Sequence, residues 1–289
     1  MPATNSIIDC ERFCDAITAA QGDVPEPLRR LLSLAELLMA PGALSDPLKP
    51  LLDAALAGEL DARKLDKMLA DAATQTQLAT YKHDLRSRAE RAVTQRFHRA
   101  LRDGAADLVL TSMRPVFTEH AQAIARTRAV INADSELEHI VASAQPGDDT
   151  IELWQQLTGH LAAVAKVGAV AAQFGARPTA QFPLITEHPG DNYLTDDRAL
   201  FCCNGPGLEG DSRPFVHWGP GQEHRRSPWY RVPLQLNTVA QAAERYRQWC
   251  ESQWEAQHPN KVVQFTRPED GSVGETILVN PFLEKASAS

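Results

Sequence analysis

The chain has 289 residues, of which 43% are hydrophobic and 23% charged, and its formal net charge is −8. This length and composition are typical of a globular protein with a sizeable core and two domains. The acidic balance argues against a protein that coats nucleic acid over its whole surface. The N-terminus lacks the basic and apolar segments of a secretory signal, and the five cysteines have no framework spacing. We therefore expect a cytoplasmic protein with reduced thiols.

Residues 1–58 predict a group of short helices. An apolar stripe at three- and four-residue spacing indicates a helix over 6–21. A leucine-rich helix is expected over 28–39 and another over 48–56, each preceded by prolines. Cys10 and Cys14 lie one helical turn apart, and we expect both to pack on an apolar face, because free cysteine is commonly buried.

Residues 59–103 contain neither proline nor glycine. A helix of this length would extend about 60 Å, which exceeds the usual globular helix and indicates a coiled-coil-like arm. Gly104 marks its end. A second helical stretch follows to Ile131, where Pro115 is expected to start a new segment or cause a kink. We expect the two stretches to form a helical hairpin within a region 59–175.

The composition changes near residue 175. A helix is predicted from Asp149 to Phe174, with Gly175 as its stop signal. Its most apolar part, 161–174, is too short to cross a bilayer, so the pattern favours a buried helix. Beyond it, the segment from Phe182 to Phe282 holds 12 of the 18 aromatic residues.

Residues 176–289 predict a small α+β module. Short strands are expected at 182–186, 199–203, 215–218 and 229–236, followed by a helix that Thr238 caps. Two further runs, 261–266 and 275–280, flank Asp270-Gly271 and predict a β-hairpin. The predicted fold class is therefore mainly α, with a helical body, a long helical hairpin and this α+β module in the divisions 1–58, 59–175 and 176–289.

The segment from Lys82 to Arg102 has a local excess of positive charge. Seven basic residues stand against two acidic ones, Asp84 and Glu90. Such a helix could contact nucleic-acid phosphates or an acidic partner. Alternatively, it is a solvated face that the acidic segment 134–152 neutralises within the fold. The basic residues are Lys82, Arg86, Arg88, Arg91, Arg96, Arg99 and Arg102.

Three further patterns were weighed as sites of chemistry. The cysteines and histidines of the module match no standard zinc spacing, and a Cys203–His217 nucleophile pair has no pattern around it. The glycine-rich loop 204–210 lacks the lysine and the helix of a phosphate loop. We therefore predict no metal, no cofactor and no catalytic residue. The weighed residues are His188, Cys202, Cys203, His217, His224, Cys250 and His258.

Several aromatic residues of the module are candidates for a binding surface, because tryptophan and tyrosine are enriched in interface hot spots. Trp218 and Trp229 flank a polar loop, which favours their exposure. With Tyr230, Arg225 and Arg226 they form our predicted partner-binding group. Tyr246 and Trp249 lie on the apolar stripe of the predicted helix, so we expect them in the core.

No motif in the sequence identifies an activity. The long uninterrupted helix favours a non-enzymatic assembly or interaction protein, with a protein partner or self-association and no membrane. One alternative is a nucleic-acid-associated protein that uses the basic segment 82–102. A second is an enzyme with its site in 176–289. In its alanine- and arginine-rich composition the chain is similar to many phage or prophage proteins of high-GC bacteria, a likeness that assigns no residue.

Overall fold

A computed structural model describes residues 6–39, 50, 53–54, 62–133, 138, 140–141, 149–177, 179–185, 196–204, 227–258, 262–266 and 273–277. The fold is mainly helical, as predicted. The longer helices are α1 (Ile7–Ala19), α2 (Glu26–Met39), α3 (Ala62–Ala100), α4 (Ala106–Val130), α5 (Thr150–Ala171) and α8 (Val239–Gln257). Two short helices, α6 (Asp197–Cys202) and α7 (Pro228–Arg231), and two strands, β1 (Val262–Thr266) and β2 (Val273–Ile277), complete the described elements.

The chain forms two compact units. The first, here the arm unit, comprises Ala3–Cys14 and Val24–Ala105. The second, the body unit, comprises Met1–Pro2, Asp15–Asp23 and Ala106–Ser289. Our three-part division at 58 and 175 was based on composition, and it stays a prediction.

In the arm unit, α1 and α2 cover the C-terminal part of α3. Ile7, Ala35 and Val93 share one buried cluster. Beside it, the rings of Phe13 and Phe97 meet edge to face with centroids 6.4 Å apart. Cys10 and Cys14 are buried on the predicted stripe of α1, and burial raises the pKa of the Cys10 thiol to about 12.

The predicted long helix is confirmed. Helix α3 has 39 residues, which corresponds to about 58 Å at the standard rise. A wide turn over Leu101–Ala105 ends it, and Gly104 adopts φ 113° there. That left-handed conformation is open to glycine and strained for other residues, so Gly104 is a break for a steric reason. The predicted hairpin and coiled-coil character remain predictions.

In the body unit, α4 packs along α5. Val109, Leu110 and Met113 of α4 are buried, as are Leu161 and Val164 of α5. The expected start of a new segment at Pro115 is wrong, because α4 continues through it from Ala106 to Val130. The alternative, a kink at Pro115, stays a prediction. A helix interior tolerates a proline when packing compensates the lost hydrogen bond, and here buried residues flank Pro115 on both sides.

Helix α5 and its final turn, Thr150–Phe174, form one apolar segment. Among the described residues, this helix alone is long and apolar enough to cross a membrane, with 44% of its most apolar window buried. Our length argument considered only 161–174 and does not apply to this longer segment, so the expected absence of a membrane partner stays a prediction. The expected burial is confirmed for Val164 and Val167, which are both fully buried.

Two of the expected strands are instead helical. Residues 199–203 belong largely to α6, because Asp196 caps the helix by accepting a hydrogen bond from the Arg198 backbone N–H. Residues 229–236 begin in α7, and only Leu234 makes an isolated bridge, to Cys203. Short apolar runs occur in both strands and helices, and at 199–203 the Asp196 cap favours the helix.

Residues 182–185 do not form a strand, and 215–218 lie outside the described residues. Helix α8 begins at the predicted cap, where Thr238 and Gln241 form a reciprocal capping box. Strands β1 and β2 pair antiparallel, with Val262 opposite Ile277.

Candidate functional site

The exposed side of α3 carries a row of apolar residues that no described residue covers. Leu78, Tyr81 and Leu85 are 51%, 61% and 45% exposed. Their spacing of three and four places them within an arc of about 60° on the helix. Single exposed apolar residues are normal on a surface, but three on one side of one helix indicate a contact surface.

Basic residues continue this row toward the end of α3. At 100° per residue, Arg88, Arg91 and Arg99 lie within an arc of about 80° that is opposite the buried Val93 and Phe97. All three are exposed, and Arg102 follows in the turn. Together, 78–102 present an exposed face that is apolar at one end and basic at the other. We call it the arm face.

Of the remaining predicted basic residues, Arg96 is exposed and lies in line with Leu78 on the arm face. Lys82 is exposed off the face, and Arg86 is half-buried. Within the face, Arg88 pairs with Asp84 at 2.8 Å and both side chains are exposed. Such an exposed pair contributes little to stability and is screened by salt, so it leaves the positive character largely intact.

The alternative of internal neutralisation is untested. Most of the acidic segment 134–152 lies outside the described residues, and it belongs to the body unit. The basic face therefore stays a candidate for phosphate or acidic-partner contact.

The predicted exposure of Trp229 is wrong. Its side chain is 1% exposed and that of Tyr230 is fully buried. The Tyr230 hydroxyl donates to the Ile131 carbonyl oxygen at 2.5 Å, and the Trp229 ring lies over Gly168 of α5. The neighbouring polar loop misled the prediction, since burial depends on α5. Trp218, Arg225 and Arg226 lie outside the described residues.

The cysteine and histidine set does not converge in the part of the body unit that the structure describes. No group of three or more potential metal ligands is found among those residues. Cys202, Cys203 and Cys250 are buried, and burial raises the pKa of the Cys202 thiol well above its ordinary value, which disfavours the reactive thiolate. His258 stacks on Trp254. His188, His217, His224 and the glycine-rich segment 205–210 lie outside the described residues.

A second candidate site, which the sequence did not reveal, is a groove in the body unit. It has a volume of about 610 Å³, within the range of small-molecule pockets. The end of α1 and the facing sides of α4 and α5 form its walls. The polar lining residues are Gln21, His120, Gln155, Gln156, His160 and Lys166, and the others are alanines, a glycine and Val116.

Two histidines face each other in this groove. His120 Nδ1 and His160 Nδ1 are 2.9 Å apart, while the ring centroids are 5.1 Å apart. The centroid separation exceeds the Nδ1–Nδ1 separation by nearly one ring diameter, so the two nitrogens point at each other. A metal held by both would lie off that line, with the lone pairs converging on it at about 2.0–2.1 Å. The geometry favours an N–H···N hydrogen bond instead.

This hydrogen bond fixes complementary tautomers. One ring carries its proton on Nδ1 and donates, and the other carries it on Nε2 and accepts. Burial lowers the pKa of His160, and the charges of His120 and Arg126 lower it further, against the opposing effect of Glu119. The net effect disfavours the charged form of His160.

Gln21 is held in an unusual conformation at the rim of the groove. It is the single residue other than glycine with positive φ (59°) among the described residues. The Gly22 N–H donates to the Ile17 carbonyl and the Gln21 N–H to that of Thr18, the pattern of a Schellman cap. In such a cap, glycine normally occupies the position with positive φ, which is Gln21 in this chain. The glycine is instead the next residue, Gly22, where a Cβ would lie 2.5 Å from Met113 Cγ.

Sequence signals for this site are weak. His120 and His160 are 40 residues apart and each is a lone histidine on an amphipathic helix, where packing is the ordinary role. Only the pairing of α4 with α5 brings them together.

Comparisons with known proteins give no relative for this chain. No family model, no curated protein and no solved structure matches it.

Proposed function

We propose that the protein is a non-enzymatic assembly or interaction protein that docks protein partners, including further copies of itself, through the arm face of α3. The exposure of Leu78, Tyr81 and Leu85 on one side of a 39-residue helix carries this proposal. Burying the exposed half of each of these three side chains in an interface would contribute about 1 kcal/mol each. That is a typical core for a helix-in-groove or coiled-coil contact.

The positive charge at the basic end of the arm face favours some binding modes over others. In a parallel coiled coil of two copies, Arg88 and Arg99 of each chain would face their own kind, which is unfavourable. An antiparallel pair joined by the apolar end, or a partner with an acidic helix, avoids this repulsion. We favour these two modes over a parallel dimer.

The first test is the mass in solution. Size-exclusion chromatography with light scattering should give a multiple of 31.7 kDa that persists in high salt, because apolar contacts are not screened. The double variant Leu78→Glu, Leu85→Glu should give the monomer mass. The control Thr76→Glu, Thr80→Glu adds the same charge at exposed positions on the other side of α3 and should remain associated. A wild-type monomer at all salt concentrations would remove self-association from the proposal.

Binding to nucleic acid is the second candidate, because Arg88, Arg91 and Arg99 are exposed in one line. Fluorescence anisotropy with a labelled duplex should show affinity that falls steeply with salt. The variant Arg91→Gln, Arg99→Gln should weaken it, whereas Lys82→Gln, off the face, should not. Equal losses for both variants would indicate a diffuse charge effect.

The proposal also covers the architecture of the C-terminal segment and the cellular location of the protein. The segment 176–289 is a small α+β module in which β1 and β2 form a β-hairpin; their antiparallel register and the Asp270-Gly271 turn signal support this. We also propose that the protein is cytoplasmic, because its five buried cysteines form no disulfide. The phage-like composition supports an assembly role but assigns no partner.

A further inference from the structure

We propose that the groove between the end of α1, α4 and α5 binds a small aliphatic oxyanion of the carboxylate class, held by Lys166 and the His120–His160 pair. This site is separate from the arm face and does not depend on its function. The groove is lined by residues of the body unit alone.

The charged residues in and around the groove favour a ligand of negative charge. The chain has a formal net charge of −8, yet the single charged residue that lines the groove is Lys166. Neither aspartate nor glutamate is among the lining residues, all of which the structure describes. The charges of Arg126 and Glu119, both on α4, act on His160 with opposite signs, and Glu152 accepts a hydrogen bond from the lining residue Gln156. An anion is therefore the ligand that this lining favours.

Hydrogen-bond donors select an oxyanion. Lys166 provides an ammonium group, and Gln21 and Gln155 provide carboxamide N–H groups at the rim. Gln156 is less available, because its amide donates to Glu152 Oε1 at 2.9 Å. The neutral histidine pair offers one Nε2–H, and it offers two when an additional proton converts the donating ring into an imidazolium. A bound carboxylate would favour that proton uptake.

The walls select a small aliphatic body. Ala20, Ala162 and Ala163 line the groove with methyl groups. Gly159 leaves further room, since a Cβ there would meet no atom within 4 Å. Small apolar walls with a few polar groups are typical of small-molecule sites.

The test is NMR of the histidine ring resonances in the full chain, with succinate and inorganic phosphate as probes and sodium chloride as the ionic-strength control. Succinate should shift the His120 and His160 signals saturably, more tightly at pH 6 than at pH 8, and leave His98 of the arm unit unmoved. Lys166→Met should weaken binding about tenfold, as expected for the loss of a charged hydrogen bond. Lys82→Met is the matched control.

A groove-filling variant tests the location. Gly159→Leu adds a side chain into open space, so it should fold and abolish the saturable shift. No saturable shift by 10 mM of either probe, or an equal shift of His98, would overturn the proposal. Binding of phosphate but not succinate would overturn the aliphatic ligand class. None of these results depends on the oligomeric state that tests the arm face.

Discussion

Helices α3 and α5 represent two ways of using a helix in this molecule. Helix α3 is 39 residues long and polar, and much of its surface faces solvent. Helix α5 has 22 residues, is apolar, and buries one side from Leu157 to Ala171. Helices of ordinary length depend on tertiary packing of an apolar face more than on propensity. The apolar residues Leu78, Tyr81 and Leu85 of α3 are therefore exposed, while the packed side of α5 from Leu157 to Ala171 is buried in the core.

The strongest test of this difference compares one aromatic residue from each region. Trp229→Ala should lower the free energy of unfolding by about 4 kcal/mol, because it leaves a cavity over α5. Tyr81→Ala on the exposed side of α3 should change it by no more than about 0.5 kcal/mol. Urea denaturation at low protein concentration measures both. Similar losses would show that Tyr81 is packed and would remove the contrast between the helices.

Two carboxyl groups, one in each unit, provide a second comparison through the pH dependence of stability. Burial raises the pKa of Asp197 in the body unit to about 6, above its ordinary value of 3.8, although it accepts hydrogen bonds from the Ala176 and Arg177 N–H groups. In the arm unit, a hydrogen bond from Arg30 lowers the pKa of the exposed Glu26. The two groups should therefore affect stability in opposite directions as pH changes.

A raised folded-state pKa means that the folded protein binds the proton more tightly than the unfolded chain. The contribution of Asp197 is then complete below about pH 4 and is lost as pH rises to about 6, a total of about 3 kcal/mol. The difference between wild type and Asp197→Asn, followed by denaturation from pH 4 to 7, should show this slope. Glu26→Gln should show a small slope of opposite sign. A flat difference for Asp197→Asn would contradict the assigned burial.

Two glycines of α5 separate its packed side from its groove side. A Cβ on Gly168 would lie 2.9 Å from Trp229 Cη2, whereas one on Gly159 would meet nothing within 4 Å. Gly168→Ala should destabilise by about 2 kcal/mol, because the indole cannot move freely in a packed core. Gly159→Ala should stabilise by about 1 kcal/mol. Thermal denaturation of the two variants measures both stability changes. If both variants were stabilised, or both destabilised, the placement of the groove would be contradicted.

The smallest expected effect concerns the cap of α1. Gln21→Gly should stabilise the body unit by about 1 kcal/mol, because glycine adopts positive φ without strain. The same change removes a carboxamide from the groove and should weaken succinate binding. Thermal denaturation and the NMR titration give the two numbers. A loss of stability would mean that the Gln21 side chain contributes packing that outweighs the strain.

The sequence by itself determined the longer helices and several of their ends. The absence of proline and glycine over 59–103 predicted α3, and Gly104 was the correct break, because both signals act on the local backbone. The Thr238 cap of α8 was equally local. The apolar stripe of α1 predicted its burial, since the helical period alone brings those residues onto one side.

Tertiary structure decided what local signals left open. Pro115 lies within a continuous α4, and residues 199–203 are mostly helical, because packing and capping override short-range preference. Trp229 is buried because α5 offers Gly168 as a place for its ring. His120 and His160 meet because two helices align, a relation between distant positions that no spacing in one sequence records.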